Sequence, residues 1–217
     1  MSREPRSRRH PHLSRESIAG AAIAIVDADG AAALSLRKVA TALRAPTMTL
    51  YHYVPSRDAM VADVVARLLD EIELVRAPGL TWAEGAKAVG RSLREMALGH
   101  PRVFELVAAA ASDEQPLVHC AARLRSFYAE LGAPVGAFVE VWSVLDAFET
   151  GFLLLETQAL LRGSSGARGD DLDEETIELA GRMPATLSSS AYEEGLELIV
   201  GGLEGRLLRS RPPSEAS

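Results

Sequence analysis

The stretch SLRKVATALRAPTMTLYHYVPSRDAM, residues 35–60, decides the fold. Ser35 stands where a serine side chain caps a helix, and Leu34 and Val39 occupy hydrophobic-staple positions around it. Leu36, Val39, Ala40 and Leu43 then share one face at helical spacing. Arg44-Ala45-Pro46 breaks the pattern, because a proline disfavours helix in the residue before it. Residues 47–53 form a second, short helix, closed by Val54-Pro55. Ser56 caps a longer helix expected to reach about Arg76.

Working outward, Ser14 is placed to cap a first helix, with Leu13 and Ile18 as its staple. Ile18, Ala22, Ile25 and Val26 line one stripe, and Gly30 marks the end. Pro78-Gly79 reads as a boundary. Beyond it, Thr81-Trp82-Ala83-Glu84 is a capping box opening a helix to about Gly99. Pro101, Pro116 and Pro134 fall near further helix starts. Residues 135–161 read as one long apolar helix, roughly 40 Å at about 1.5 Å per residue. A glycine-serine loop of disorder-prone composition follows over 162–169. Two more helices are expected at 173–187 and 190–208, the last opening on a capping box Ser190-Ala191-Tyr192-Glu193. The fold class is therefore all-α, with about nine or ten helices. A basic, disordered arm (1–12) precedes a helix-turn-helix head (13–57). A connecting helix (58–76) leads to a helical body (77–210).

Composition narrows the function. With 217 residues, 47% hydrophobic and 24% charged, the chain can bury a sizeable core. No apolar run reaches the roughly 18–20 residues of a membrane span. MSREPRSRRHPH lacks the apolar segment of a secretory signal, and a single cysteine, Cys120, fits a reducing cytoplasm. The net charge of −7 hides an asymmetry: residues 1–57 sum to +5 and the remainder to −12. A basic head on an acidic body is expected when only one end meets phosphate.

The short helix 47–53 is poor core material. Leu50 and Val54 can face inward, leaving Thr47, Met48, Tyr51 and His52 outside. Those groups suit phosphates, base edges and thymine methyls. A helix–break–helix pair is the geometry that places such a helix in a major groove. No catalytic arrangement is present: no glycine-rich phosphate loop follows a strand, no nucleophile elbow occurs, and Cys120 has no evident base. No cofactor is implied. His100 and His119 are too isolated, and His10 and His12 too weak a pair, to indicate a metal.

Leu36-Arg37-Lys38-Val39-Ala40, Leu43, Thr49-Leu50-Tyr51-His52-Tyr53-Val54 and Ser56-Arg57-Asp58-Ala59-Met60 together resemble the DNA-binding head of the TetR family of bacterial regulators. The resemblance implies that Arg37 reaches bases or backbone from the helix before the break. Thr47 and Met48 match base-reading positions, Thr49, Tyr53 and Arg57 phosphate-contacting ones, and Tyr51 and His52 shared ones. Lys38 and Arg44 are further candidates for phosphate. Two departures stand out. The family has glycine where this chain has Arg44, so either the turn differs or the arginine is tolerated because it meets phosphate. It has a capping Ser or Thr where this chain has Pro46, which points to Thr47 as the substitute cap.

The resemblance also implies an all-helical body that binds a small molecule and dimerises. His100-Pro101, Tyr192-Glu193-Glu194-Gly195-Leu196 and Gly201-Gly202-Leu203 are similar to the tetracycline-repressor-type C-terminal subgroup. Candidate pocket residues are Trp82, Met96, His100, Phe104, Cys120, Phe127, Phe138, Trp142 and Phe148. Glu149 and Glu156 lie in an otherwise apolar helix, as salt-bridge partners or as receivers of a cationic ligand. The long helix 135–161 and the helix 190–208 are candidates to pair across a twofold axis, with Gly151, Gly195, Gly201, Gly202 and Gly205 permitting close approach. The expected function is a homodimeric, ligand-responsive regulator, a repressor on a palindromic operator, released by a small molecule. The alternatives are a constitutive DNA-binding protein without a ligand and a ligand-sequestering protein.

Overall fold

A computed structural model of the chain describes residues 13–162, 173–182 and 187–209. Among them are ten α-helices and no β-strand. The arm 1–12, the glycine-serine loop beyond Arg162 and the C-terminal tail lie outside the described residues.

Four helices build the head. α1 (Arg15–Asp29) opens on a capping box in which Ser14 Oγ accepts from the Ser17 N–H and Ser17 Oγ takes the Ser14 N–H. It stops at Gly30, whose φ of 81° suits glycine. α2 (Leu36–Ala42) and α4 (Arg57–Asp70) start from the Ser35 and Ser56 caps. α3 (Thr47–Leu50) lies between them. α1 packs on α4 and α2, and α2 on α3. Ile18, Val26, Val39, Leu50, Val54 and Met60 are wholly buried at the centre. Each such side chain stabilises the head by about 1.5–3 kcal/mol relative to exposure. Arg15 also grips Asp63 through two nitrogens, at 3.1 and 2.6 Å, tying α1 to α4.

Three expectations for this region are corrected. α3 ends at Leu50 rather than residue 53, because the His52 and Tyr53 N–H groups donate only three residues back, to Thr49 and Leu50 at 3.3 and 2.9 Å. Thr47 is the first helical residue and not a cap; Pro46 holds the cap position, without a side-chain acceptor. α4 stops at Asp70 instead of about Arg76. Arg123 intercepts its end, donating to the Leu69 and Ile72 carbonyls (both 3.2 Å) and to Asp70 Oδ1 (2.7 Å).

The body holds α5 (Trp82–Gly99), α6 (Phe104–Ala109), α7 (Gln115–Glu130), α8 (Phe138–Arg162), α9 (Glu174–Arg182) and α10 (Ser189–Arg209). The Thr81–Glu84 capping box forms as the sequence indicates. That of α10 does not: Ser188 Oγ receives the Ala191 N–H at 3.3 Å, two residues earlier than expected. Glu193 is drawn to Arg91 instead, at 2.9–3.0 Å. α5 packs on α7, α8 and α10, and α4 on α6 and α7. Tyr192 anchors α10 to α5 by donating to the Gly90 carbonyl at 2.8 Å. Gly195 serves this packing rather than an outer face, since a Cβ there would lie 2.6 Å from Phe148 Cζ.

Candidate functional site

The break between α2 and α3 keeps its sharp turn without glycine. Arg44 sits at φ 54°, in the left-handed region. Its N–H donates to the Thr41 carbonyl at 3.1 Å and the Ala45 N–H to that of Ala40 at 2.9 Å, the paired bonds of a Schellman ending. A residue with a Cβ in this region bears a strain of about 1–2 kcal/mol.

The turn aims α3 outward. Leu50 and Val54 point inward, while Met48 is 73% exposed and Tyr51 46%. His52 and Tyr53 are exposed beside them, and Thr47 and Thr49 are half-buried. Arg37 and Arg44 are exposed on the same head. This is an outer edge of thioether, phenols, imidazole and guanidinium with no core role to account for it.

Two cations already have partners. Lys38 Nζ pairs with Asp29 at the end of α1. Arg57 donates from Nε to the Leu34 carbonyl (3.2 Å) and from Nη2 to that of Ala31 (3.1 Å). Arg57 thereby clamps the turn between α1 and α2, a role with no local sequence signal.

In the body, α4 to α8 enclose a cavity of about 90 Å³. A single water needs only about 10–15 Å³. Phe104, Cys120 and Trp142 line it as expected from the sequence. The other six candidates face elsewhere, and their positions are corrected here. Trp82 and Met96 are buried in the surrounding core. Phe127 lies under the Arg76 guanidinium, 5.5 Å from its ring centre. Phe138 contacts Trp142 and Tyr128 from outside the cavity. Phe148 stacks on Tyr192 with ring centres 5.7 Å apart. His100 turns to the head, its Nδ1 2.7 Å from Asp27 Oδ2.

Sequence reasoning missed Tyr128, Leu145, Asp146 and Thr150, which line the cavity beside Glu149. Burial pushes the Cys120 thiol up to about 11, so it is not a ready nucleophile. Glu156 has its partner, Arg94, at 2.5 and 2.9 Å. Glu149 is 7% exposed, and no hydrogen bond or ion pair to it is seen among the described residues. Burial, and secondarily the negative charge of Asp146, push its carboxyl up to about 8.

Head and cavity share parts. Leu69 and Ile72, at the end of α4, line the cavity, and Arg123 holds that end from α7. From the turn between α5 and α6, Arg102 donates to the Asp27 and Ala28 carbonyls of α1, beside the His100 contact.

Comparison with known proteins agrees with this architecture. Residues 76–207 match the family model described as "Tetracyclin repressor-like, C-terminal domain". An HTH-type transcriptional regulator of Saccharopolyspora erythraea is 33% identical over 132 residues, 60% of this chain and 54% of its own length. The HTH-type transcriptional repressor DrrR1 of Streptomyces coeruleorubidus is 30% identical over 105 residues, 48% of this chain and 39% of its own. The chain thus spans about half, or less, of the curated relatives it matches. Among solved structures, apo ActR of Streptomyces coelicolor superposes with a TM-score of 0.72 at 26% identity, covering 93% of this chain and 99% of that one. The same protein in complex with actinorhodin gives 0.73 at 24% identity, covering 92% and 99%.

Proposed function

The chain belongs to the TetR family of transcriptional regulators, and from that premise we propose that it is a homodimeric repressor whose two α3 helices read a palindromic operator and whose body cavity takes the small molecule that releases it. The observation that carries the reading is the outward aim of α3 behind the strained Arg44 turn. In this reading Thr47, Met48, Tyr51 and His52 meet base edges. Thr49, Tyr53, Arg37, Arg44, Lys38 and Arg57 meet the sugar-phosphate backbone, the last two by releasing or sharing their present partners. Phosphate contacts fix register and base contacts specify sequence.

A homodimer supplies the second reading helix, about 34–36 Å from the first. The face of α8 and α10 that suits a second copy carries Leu155, 54% exposed, and Leu198, 69% exposed. A Cβ at Gly151, Gly201 or Gly202 would meet nothing within 4 Å among the described residues, which leaves room for close approach. Release follows from the shared parts. A guest between α4 and α8 presses on Leu69 and Ile72, and α4, which carries Leu69 and leads into Ile72, begins at the Arg57 clamp. A differential affinity of about 3–5 kcal/mol between two head spacings switches the protein. A repressor relative and the ActR–actinorhodin complex lend support to the repressor and ligand parts. No described helix is long and apolar enough to cross a membrane, and a cytoplasmic regulator beside its DNA is the compatible setting.

The test is selection of bound fragments from the source genome by the purified protein at physiological salt. A short palindrome with half-sites about one helical turn apart supports the reading. Enrichment without a palindrome supports a constitutive, architectural binder, and no enrichment supports a ligand-sequestering role.

A further inference from the structure

The cavity has an uneven chemistry. Trp142, Tyr128 and Phe104 give it aromatic walls, and Leu93, Leu124 and Leu145 add apolar ones. Against these stand Asp146 and Glu149, one turn apart on α8, and no Lys or Arg is among the lining residues. Thr150 favours the charged form of Asp146. Glu149 has no hydrogen bond or ion pair among the described residues, although only 7% of it is exposed. Space has been kept for this carboxyl: a Cβ at Gly90 would lie 2.6 Å from its Oε1. A buried, unpaired carboxyl is costly, and such groups are ordinarily paired or absent. One that faces a cavity is complemented by whatever fills it.

We infer that the cavity takes a small organic cation, an aromatic amine-bearing molecule whose ammonium group pairs with Glu149 while its ring lies against Trp142 and Tyr128. This rests on the reading of the cavity as the effector site. A carboxylate and aromatic faces both favour a cation, and the two acidic side chains disfavour an anion of the same shape. A neutral guest of the same shape leaves Glu149 without a charge partner.

Binding then carries a proton signature. The empty cavity holds Glu149 protonated at neutral pH, its carboxyl pushed up to about 8. An arriving ammonium favours the ionised form, so a proton leaves as the cation enters. The ionisable groups facing Glu149 are Asp146 on its own helix, Cys120 and Tyr128 from α7, and Tyr192 from α10. α5 presents the Gly90 backbone. Burial pushes Cys120, Tyr128 and Tyr192 up, so all three stay neutral between pH 6 and 8. Asp146 is also raised, by burial.

The experiment uses fluorescence of Trp142 in the full chain carrying Trp82→Phe, which leaves one tryptophan, beside the cavity. Benzylammonium, benzyl alcohol and benzoate are titrated as matched probes. Benzylammonium is expected to bind at least about tenfold more tightly than benzyl alcohol, and benzoate most weakly. Its affinity is expected to rise from pH 6 to 8, by up to about tenfold per unit. Glu149→Gln is expected to erase both the preference and the pH trend; Gln is close in shape to the protonated carboxyl, and a thermal melt verifies its fold. Equal affinities for the ammonium and the alcohol, or a preference that survives Glu149→Gln, would overturn the cation assignment and leave the effector cavity standing. Silence from all three probes would overturn both.

Discussion

His100 Nδ1 lies 2.7 Å from Asp27 Oδ2, joining the end of α5 to the end of α1. The other Asp27 oxygen, Oδ1, is buried without a partner among the described residues, where this carboxyl depends on the histidine for its side-chain contact. His100→Ala leaves both oxygens unsatisfied. Unfolding by urea should show a loss of about 1–3 kcal/mol. A change within about 0.5 kcal/mol would mean that solvent replaces the histidine at no cost.

Arg44 separates stability from DNA binding. Its φ of 54° is strained for a residue with a Cβ and free for glycine. Arg44→Gly should raise folding stability by up to about 1 kcal/mol, while weakening DNA binding and lowering the salt slope by about one phosphate contact. Stability and binding that rise together would show that the guanidinium does not meet phosphate.

Glu149 makes stability depend on pH. Its carboxyl is pushed up from 4.5 to about 8 in the folded chain. The folded state therefore holds a proton that the unfolded chain has lost, and stability is fullest below about pH 4.5. It declines as pH rises from there to about 8, and is level beyond. Glu149→Gln removes this contribution. The wild type should lose stability relative to the variant by about 1.4 kcal/mol per pH unit at most between pH 5 and 8. Denaturant melts across that range give the slope, and parallel curves would contradict a buried, protonated carboxyl.

Most of this was legible in the sequence where the chemistry is local. Ser14, Ser35, Ser56 and Thr81 announce their helices because each bonds an N–H three residues on. The end of α4 was illegible because its cap, Arg123, arrives from 53 residues away in sequence. Ser190 and Glu193 form a sound capping-box pattern that lost to the Arg91 ion pair. Several aromatic candidates lie beside the cavity rather than on its wall, Phe127 and Phe148 among them. Helical spacing shows that Phe127 or Phe148 turns inward, but not which of two inward neighbours it meets. Glu149 and Glu156 of α8 read alike in sequence, and only packing gives Glu156 an arginine and leaves Glu149 without a partner among the described residues.

In the proposed function, the exposed edge of α3 reads bases. The direct measurement is a binding titration of wild type and Tyr51→Ala on the selected palindrome and on a scrambled duplex, at one salt concentration. The account predicts that Tyr51→Ala loses about 1–3 kcal/mol on the palindrome and almost nothing on the scrambled duplex. An equal loss on both would contradict it, making Tyr51 a backbone contact and moving sequence reading elsewhere on the head.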